Sequence, residues 1–134
     1  GHLESTHDIC YGFYQSHVAV KDSMLYISCW TDDSITNGVY AYDICNPDRE
    51  TFLYQHEKLK EPWSIMADMN CVYVCEMYSN EIHQLTDSGQ LVTIHTVSSI
   101  PLGIFCDDHH GLLYTTSSCS NVITLYKMES LRKT

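Results

Sequence analysis

Asp107-Asp108-His109-His110 is the densest run of metal-ligating side chains in this sequence. Carboxylates and imidazoles are good ligands for zinc or calcium, so Asp107, His109 and His110 are candidates for holding a divalent ion. Adjacent side chains of an extended segment diverge, however, and aspartate is an ordinary turn former. A reverse turn therefore accounts for the run more simply. Cys71 and Cys75 are separated by three residues rather than the two of a common zinc knuckle, and no second pair follows. No nucleophile–base constellation stands out, so no catalytic residue is assigned. No cofactor is expected, and zinc or calcium would be the ion if one were held.

The elements that carry these residues repeat. "PWSIMADMNCVYVCEMYSNEIHQL" from Pro62 lies in register with "PLGIFCDDHHGLLYTTSSCSNVITLY" from Pro101. Pro62 meets Pro101, Ile65 meets Ile104 and Asp68 meets Asp107. After a two-residue difference in the loop, Tyr73 meets Tyr114, Asn80 meets Asn121 and Ile82 meets Ile123. A weaker copy lies upstream, with Val18, Tyr26, Asn37 and Val39 in the places of Ile65, Tyr73, Asn80 and Ile82. The tyrosines are 47 and 41 residues apart, close to the roughly 40–45 of a four-stranded propeller blade. Short β-branched and aromatic runs bounded by turn residues, such as "SIMAD", "CVYVCEM" and "EIHQL", predict strands. "QLVTIHT" and "ETFLYQ" each supply a fourth strand after a turn signal. The "DDHH" run falls on the turn between the first and second strands of the last copy.

At 134 residues the chain has room for one domain, and its 44% hydrophobic and 18% charged residues suit a folded body. Seven Lys and Arg against 17 Asp and Glu leave a net charge of −10, which repels phosphate backbones and argues against nucleic-acid binding. No apolar run approaches the roughly 20 residues of a membrane span, and the polar start "GHLESTHD" is unlike a signal peptide. Seven irregularly spaced cysteines and no Asn-x-Ser/Thr acceptor point to buried thiols in a reducing compartment, and a cytoplasmic location is expected.

The pattern Pro-x-x-Ile-x-x-Asp, an apolar-Tyr-apolar strand and Asn-x-Ile resembles the NHL repeat of six-bladed propellers, among them the C-terminal domains of TRIM-type proteins. The resemblance covers about Ser16 to Tyr126, and the first copy lacks the proline. The YWTD propellers are similar in layout, "LYISCWTD" and "LLYTTSS" lying near their signature. The resemblance implies an all-β fold of about three four-stranded antiparallel blades, half of a six-bladed ring. The blades would span about 16–61, 62–100 and 101–134, with 5–15 as an N-terminal strand for a neighbouring blade.

Three blades leave two apolar sheet faces uncovered, which rarely suits a soluble monomer. The last copy lacks its outer strand, and the N-terminus has a surplus one. A two-fold homodimeric ring, each N-terminal strand completing the partner's last blade, answers both, and the alternative is a fragment or one half of a longer chain.

His17, placed ahead of its first strand and level with Ser64 and Gly103, would sit near the channel. NHL-like lyases hold zinc there with histidines, but Ser and Gly at the matching positions leave His17 without companions. Six-bladed calcium lactonases use Glu, Asn and Asp, for which Glu76, Asp32, Asp33, Asn80 and Asn121 are available. The asparagines recur with the repeat and therefore read as turn residues. Trp30 and Trp63 break the repeat near loops, where aromatics anchor partners. With Asp32, Asp33 and Tyr78 they form the expected binding set. A non-catalytic propeller recognising a protein or peptide follows, with a channel metal hydrolase or lyase and a lectin as alternatives.

Overall fold

Alternating apolar residues and turn formers resolve into strands throughout the computed structural model, which describes residues 14–31, 37–46, 50–76, 78–97, 101–117 and 123–127. The first sheet holds β1 (Tyr14–Lys21), β2 (Met24–Trp30), β3 (Gly38–Asp43) and β4 (Glu50–Tyr54). The second holds β5 (Pro62–Ala67), β6 (Val72–Glu76), β7 (Glu81–Leu85) and β8 (Leu91–Thr96). The third holds β9 (Pro101–Asp107), β10 (Leu112–Ser117) and β11 (Ile123–Lys127). Each sheet is an antiparallel meander in chain order, and among the described residues there is no helix. The fold class is the expected one. The first sheet begins at Tyr14, so Tyr14 and Gln15 pair within β1, opposite Trp30 and Cys29. Residues 5–13 of the expected N-terminal strand lie outside the described residues.

Strand register confirms the internal repeat position by position. Tyr26, Tyr73 and Tyr114 pair with Ala19, Met66 and Phe105, each one residue after Val18, Ile65 and Ile104. On the other side they pair with Ala41, Gln84 and Leu125. The sheets stack in order, β1 beside β5 and β5 beside β9, and the core lies between them. Ala19, Tyr26, Val39, Ala41 and Tyr54 pack against Ile65, Val72, Val74 and Leu85. Tyr73, Cys75 and Ile82 pack against Cys106 and Leu113, with Ile104 and Tyr126 alongside. Neighbours cover both faces of β6, so all five of its residues are buried and its sequence is nearly continuous apolar.

All three inner strands carry a bulge at the same place. Pairing slips between Gln15 and Val18, between Pro62 and Ile65, and between Pro101 and Gly103. An extra residue in a ladder turns a backbone carbonyl away from its own partner strand. The preceding sheet uses that carbonyl. Ser28 and His17 of the first sheet both reach the Trp63 carbonyl, and Ser64 of the second donates to the Leu102 carbonyl. Trp63 and Leu102 are equivalent bulge positions, so a hydroxyl-to-carbonyl bond ties each sheet to the next, the donor lying on β2 in the first joint and on β5 in the second.

Gly38 opens β3 against the outer strand. A Cβ there would stand 2.0 Å from the Tyr54 carbonyl oxygen, a backbone atom that cannot swing aside. Gly38→Ala is expected to cost about 2 kcal/mol or more by thermal or urea unfolding, as overpacking does elsewhere. An unchanged midpoint would show that the β3–β4 edge yields freely.

Candidate functional site

A meander whose inner strands all start at one end gathers two kinds of connector there. The β2–β3 and β6–β7 loops meet the β4–β5 and β8–β9 connectors at this upper end. Polar side chains fix them. Asn37 accepts from the Thr31 amide (2.6 Å) and donates to the Lys60 carbonyl. One blade on, Asn80 donates to the Val97 carbonyl at 2.6 Å, and the Val97 amide returns a bond to the Asn80 carbonyl at 2.8 Å. The recurring asparagines are thus loop clasps, as their recurrence suggested. Asn121 lies outside the described residues.

Glu76 ends β6 and is buried at this end. Its carboxylate accepts from the backbone amides of Lys60 (2.6 Å), Glu61 (3.2 Å) and Tyr78 (3.1 Å). Burial raises its pKa, and the three amide bonds pull the other way. The residue that a calcium site would have recruited is committed to holding two loops together.

Over this clasp lies a cavity of about 230 Å³ lined by Lys58, Lys60, Glu76, Tyr78, Ser79 and Glu81. The Tyr78 side chain stands largely in solvent, 72% exposed. Nearer the axis, Trp63 opens β5 and is half-buried, its ring edge-on to His17 at 5.8 Å. Trp30 closes β2 at the same end. The structure therefore places Trp30, Trp63 and Tyr78 on one loop face. Asp32 and Asp33 belong to the β2–β3 connector and lie outside the described residues.

His17 corrects the reading that set it ahead of its strand. It lies inside β1 at the bulge, where its amide donates to Ser28 Oγ (3.1 Å) and Nδ1 sits 3.2 Å from the Trp63 carbonyl. The bulge breaks the alternation that would have revealed the strand's true start.

No family model and no curated protein matches this sequence. Solved structures do. The computationally designed protein Ika4 aligns with a TM-score of 0.63 at 14% identity, over 85% of this chain and 66% of its own. Glutaminyl cyclase of Myxococcus xanthus aligns with a TM-score of 0.63 at 13% identity, over 88% and 50%. BamB of Moraxella catarrhalis aligns with a TM-score of 0.54 at 14% identity, over 84% and 42%.

The fold is of propeller type.

The chain spans about two thirds of the designed protein and half or less of the two natural ones. At such identities the likeness carries the fold alone, and the activity named in "glutaminyl cyclase" stays with that protein.

A propeller has two ends, and the candidate metal ligands divide between them. Asp107, His109 and His110 belong to the β9–β10 turn at the lower end, opposite to His17. Asp107 accepts from the His110 amide (3.2 Å) and bonds its Nδ1 (2.8 Å), and Gly111 closes the turn at φ 64°. That bond to His110 holds the Asp107 carboxyl below the usual carboxylate range. The equivalent Asp68 caps its own turn through the Asn70 and Cys71 amides, at 2.7 and 2.6 Å. "DDHH" is a lengthened aspartate-capped turn. Among the described residues no three His, Cys, Asp or Glu side chains converge as a metal site would require.

Sequence reasoning missed a buried pair between the first two sheets. Tyr54 Oη and His83 Nδ1 are 2.8 Å apart, with the His56 ring edge-on to His83 at 5.4 Å. His83 Nε2 is buried 3.8 Å from Glu81 Oε1 and has no hydrogen-bond partner among the described residues. Burial, reinforced by His56, lowers the His83 pKa to about 4. The only sequence signal was a histidine between Ile82 and Gln84 in a strand. Cys71 and Cys75 are buried free thiols, as is Cys29.

Proposed function

We propose that this propeller is a non-catalytic binding module that holds a protein or peptide on its upper loop face. The observation that carries the reading is the gathering of Trp30, Trp63 and the exposed Tyr78 at one end, beside a cavity with charged walls. Aromatic side chains of this kind supply large contact area at small entropic cost. The loops that present them are fixed by buried clasps, which keeps the face ready-shaped and lowers the cost of binding. A net charge of −10 favours a partner with a basic surface over a nucleic acid. We further propose that two chains form a six-bladed ring, whose mass would be 2 × 15.4 = 30.8 kDa from the 15.4 kDa chain. Residues 5–13, outside the described set, remain our candidate for a fourth strand beside β11 of the partner. The buried free thiols support a reducing, cytoplasmic setting.

Panning a displayed random-peptide library against the immobilised protein tests the loop face. Lys- and Arg-rich peptides are expected to be enriched, and Trp63→Ala or Tyr78→Ala should weaken the best of them about tenfold. Undiminished binding by both variants would place recognition elsewhere.

A further inference from the structure

Two of the joints that a three-blade arc needs lie within the chain, and half of a third stands ready at its end. In the first sheet the Ser28 hydroxyl accepts from the His17 amide (3.1 Å) and donates to the Trp63 carbonyl of the second sheet. Strand register makes Thr116 the counterpart of Ser28 and Gly103 the counterpart of His17. The first half of the arrangement is reproduced, because Thr116 Oγ1 accepts from the Gly103 amide at 3.1 Å. A Cβ at Gly103 would stand 2.7 Å from that hydroxyl, so a side chain there would make the threonine shift. The second half has no carbonyl to receive it among the described residues.

The surface around Thr116 shows the same incompleteness. Phe105, Tyr114, Thr116, Ile123 and Leu125 occupy the registers of Met66, Tyr73, Cys75, Ile82 and Gln84. In the second sheet Tyr73, Cys75 and Ile82 are fully covered by the third. In the third sheet Phe105, Ile123 and Leu125 are 59%, 62% and 53% exposed. At the far end of the arc, Val18 and Val20 stand in the registers of Ile104 and Cys106 and are 57% and 58% exposed, while Ile27, Cys29 and Tyr42 on the same face are buried. Leu25 takes the place of Leu113, and Ser16 is the bulge residue matching Trp63 and Leu102.

We infer that the outward face of the β9–β11 sheet seats on the outward face of the β1–β4 sheet of a second copy, the Thr116 hydroxyl donating to that copy's Ser16 carbonyl. This deepens the ring proposed above and rests on it. A second copy fits because the occupant must bring a bulged inner strand and apolar side chains at three set registers. The first sheet of this chain presents Ser16, Val18, Val20 and Leu25 there. Two such contacts, identical by symmetry, close the ring.

Light scattering on the purified chain, with cross-linking, tests it. Wild type should run as a dimer, and Phe105→Glu with Leu125→Glu, both at exposed positions, should run as a folded monomer. Thr116→Val, which keeps the shape and removes the donor, should weaken the dimer about tenfold. Cys75 and Cys106 pack in one cluster across the second joint, and their counterparts at the third are Thr116 and Val20. Val20→Cys with Thr116→Cys should therefore give a chain-to-chain disulfide on oxidation that neither single variant gives. A monomeric wild type overturns the ring and this junction together. A dimer that survives the glutamates and fails to cross-link overturns the junction and leaves the dimer standing.

Discussion

Acidification from about pH 7 to about pH 4.5 is expected to remove about 2–3 kcal/mol of stability through His83 alone. The folded-state pKa of this side chain is depressed to about 4, first by burial and then by the His56 ring, with Lys58 adding to the effect and Glu81 opposing it. A histidine whose folded pKa lies below its unfolded value of about 6.5 stabilises fully above that value. The contribution is lost as pH falls through 6.5 towards 4, because protonation leaves a cation between two packed sheets. His95, also lowered by burial, acts in the same direction. Glu76 opposes them, since its raised pKa favours the folded state as pH falls. The difference between wild type and His83→Phe isolates the histidine. The variant loses the bond to Tyr54 at neutral pH, yet its urea midpoint should fall much less between pH 6.5 and 4.5. Parallel pH profiles for the two proteins would overturn the assignment.

Glu76→Ala is expected to cost about 3 kcal/mol at neutral pH, a large part of the stability of a domain this size. The substitution leaves the amides of Lys60, Glu61 and Tyr78, which belong to two different loops, without their acceptor. Glu76→Gln keeps one acceptor oxygen and removes a buried charge, so it should fall between the alanine variant and wild type. Urea unfolding gives the order. Hydrogen exchange should show faster amide exchange in 55–61 and 78–80 for the alanine variant. Wild-type protection of those segments in Glu76→Ala would mean that the clasp does not organise the loop face.

The fold was largely legible because a propeller writes itself several times. The tyrosines Tyr26, Tyr73 and Tyr114, one per copy, sit in the same ladder position in all three sheets. Asn37 and Asn80, read as turn residues, do turn work, and "DDHH" is a turn. What stayed hidden depends on register between strands, which local sequence does not encode. His17 looked like a residue ahead of a strand, because a bulge spoils the two-residue period that betrays one. Glu76 looked like an available ligand because a carboxylate's partners here are backbone amides, and every residue type supplies those. The His83–Tyr54 pair joins residues 29 positions apart on different sheets, and neither residue type is unusual in a strand.

The inner-strand joint has a direction. Across both joints the earlier sheet donates a hydroxyl and the later one supplies a bulge carbonyl, so the sheets link as monomers of a polymer do, head to tail. Such a linkage sets the order of addition and is indifferent to the number added. Two like ends cannot meet through it, and the count of blades at closure is left to the angle between neighbouring sheets. A tandem fusion of two of these chains should therefore close as readily as two separate ones. If two chains close the proposed ring, moving the chain break to another connector should leave it closed.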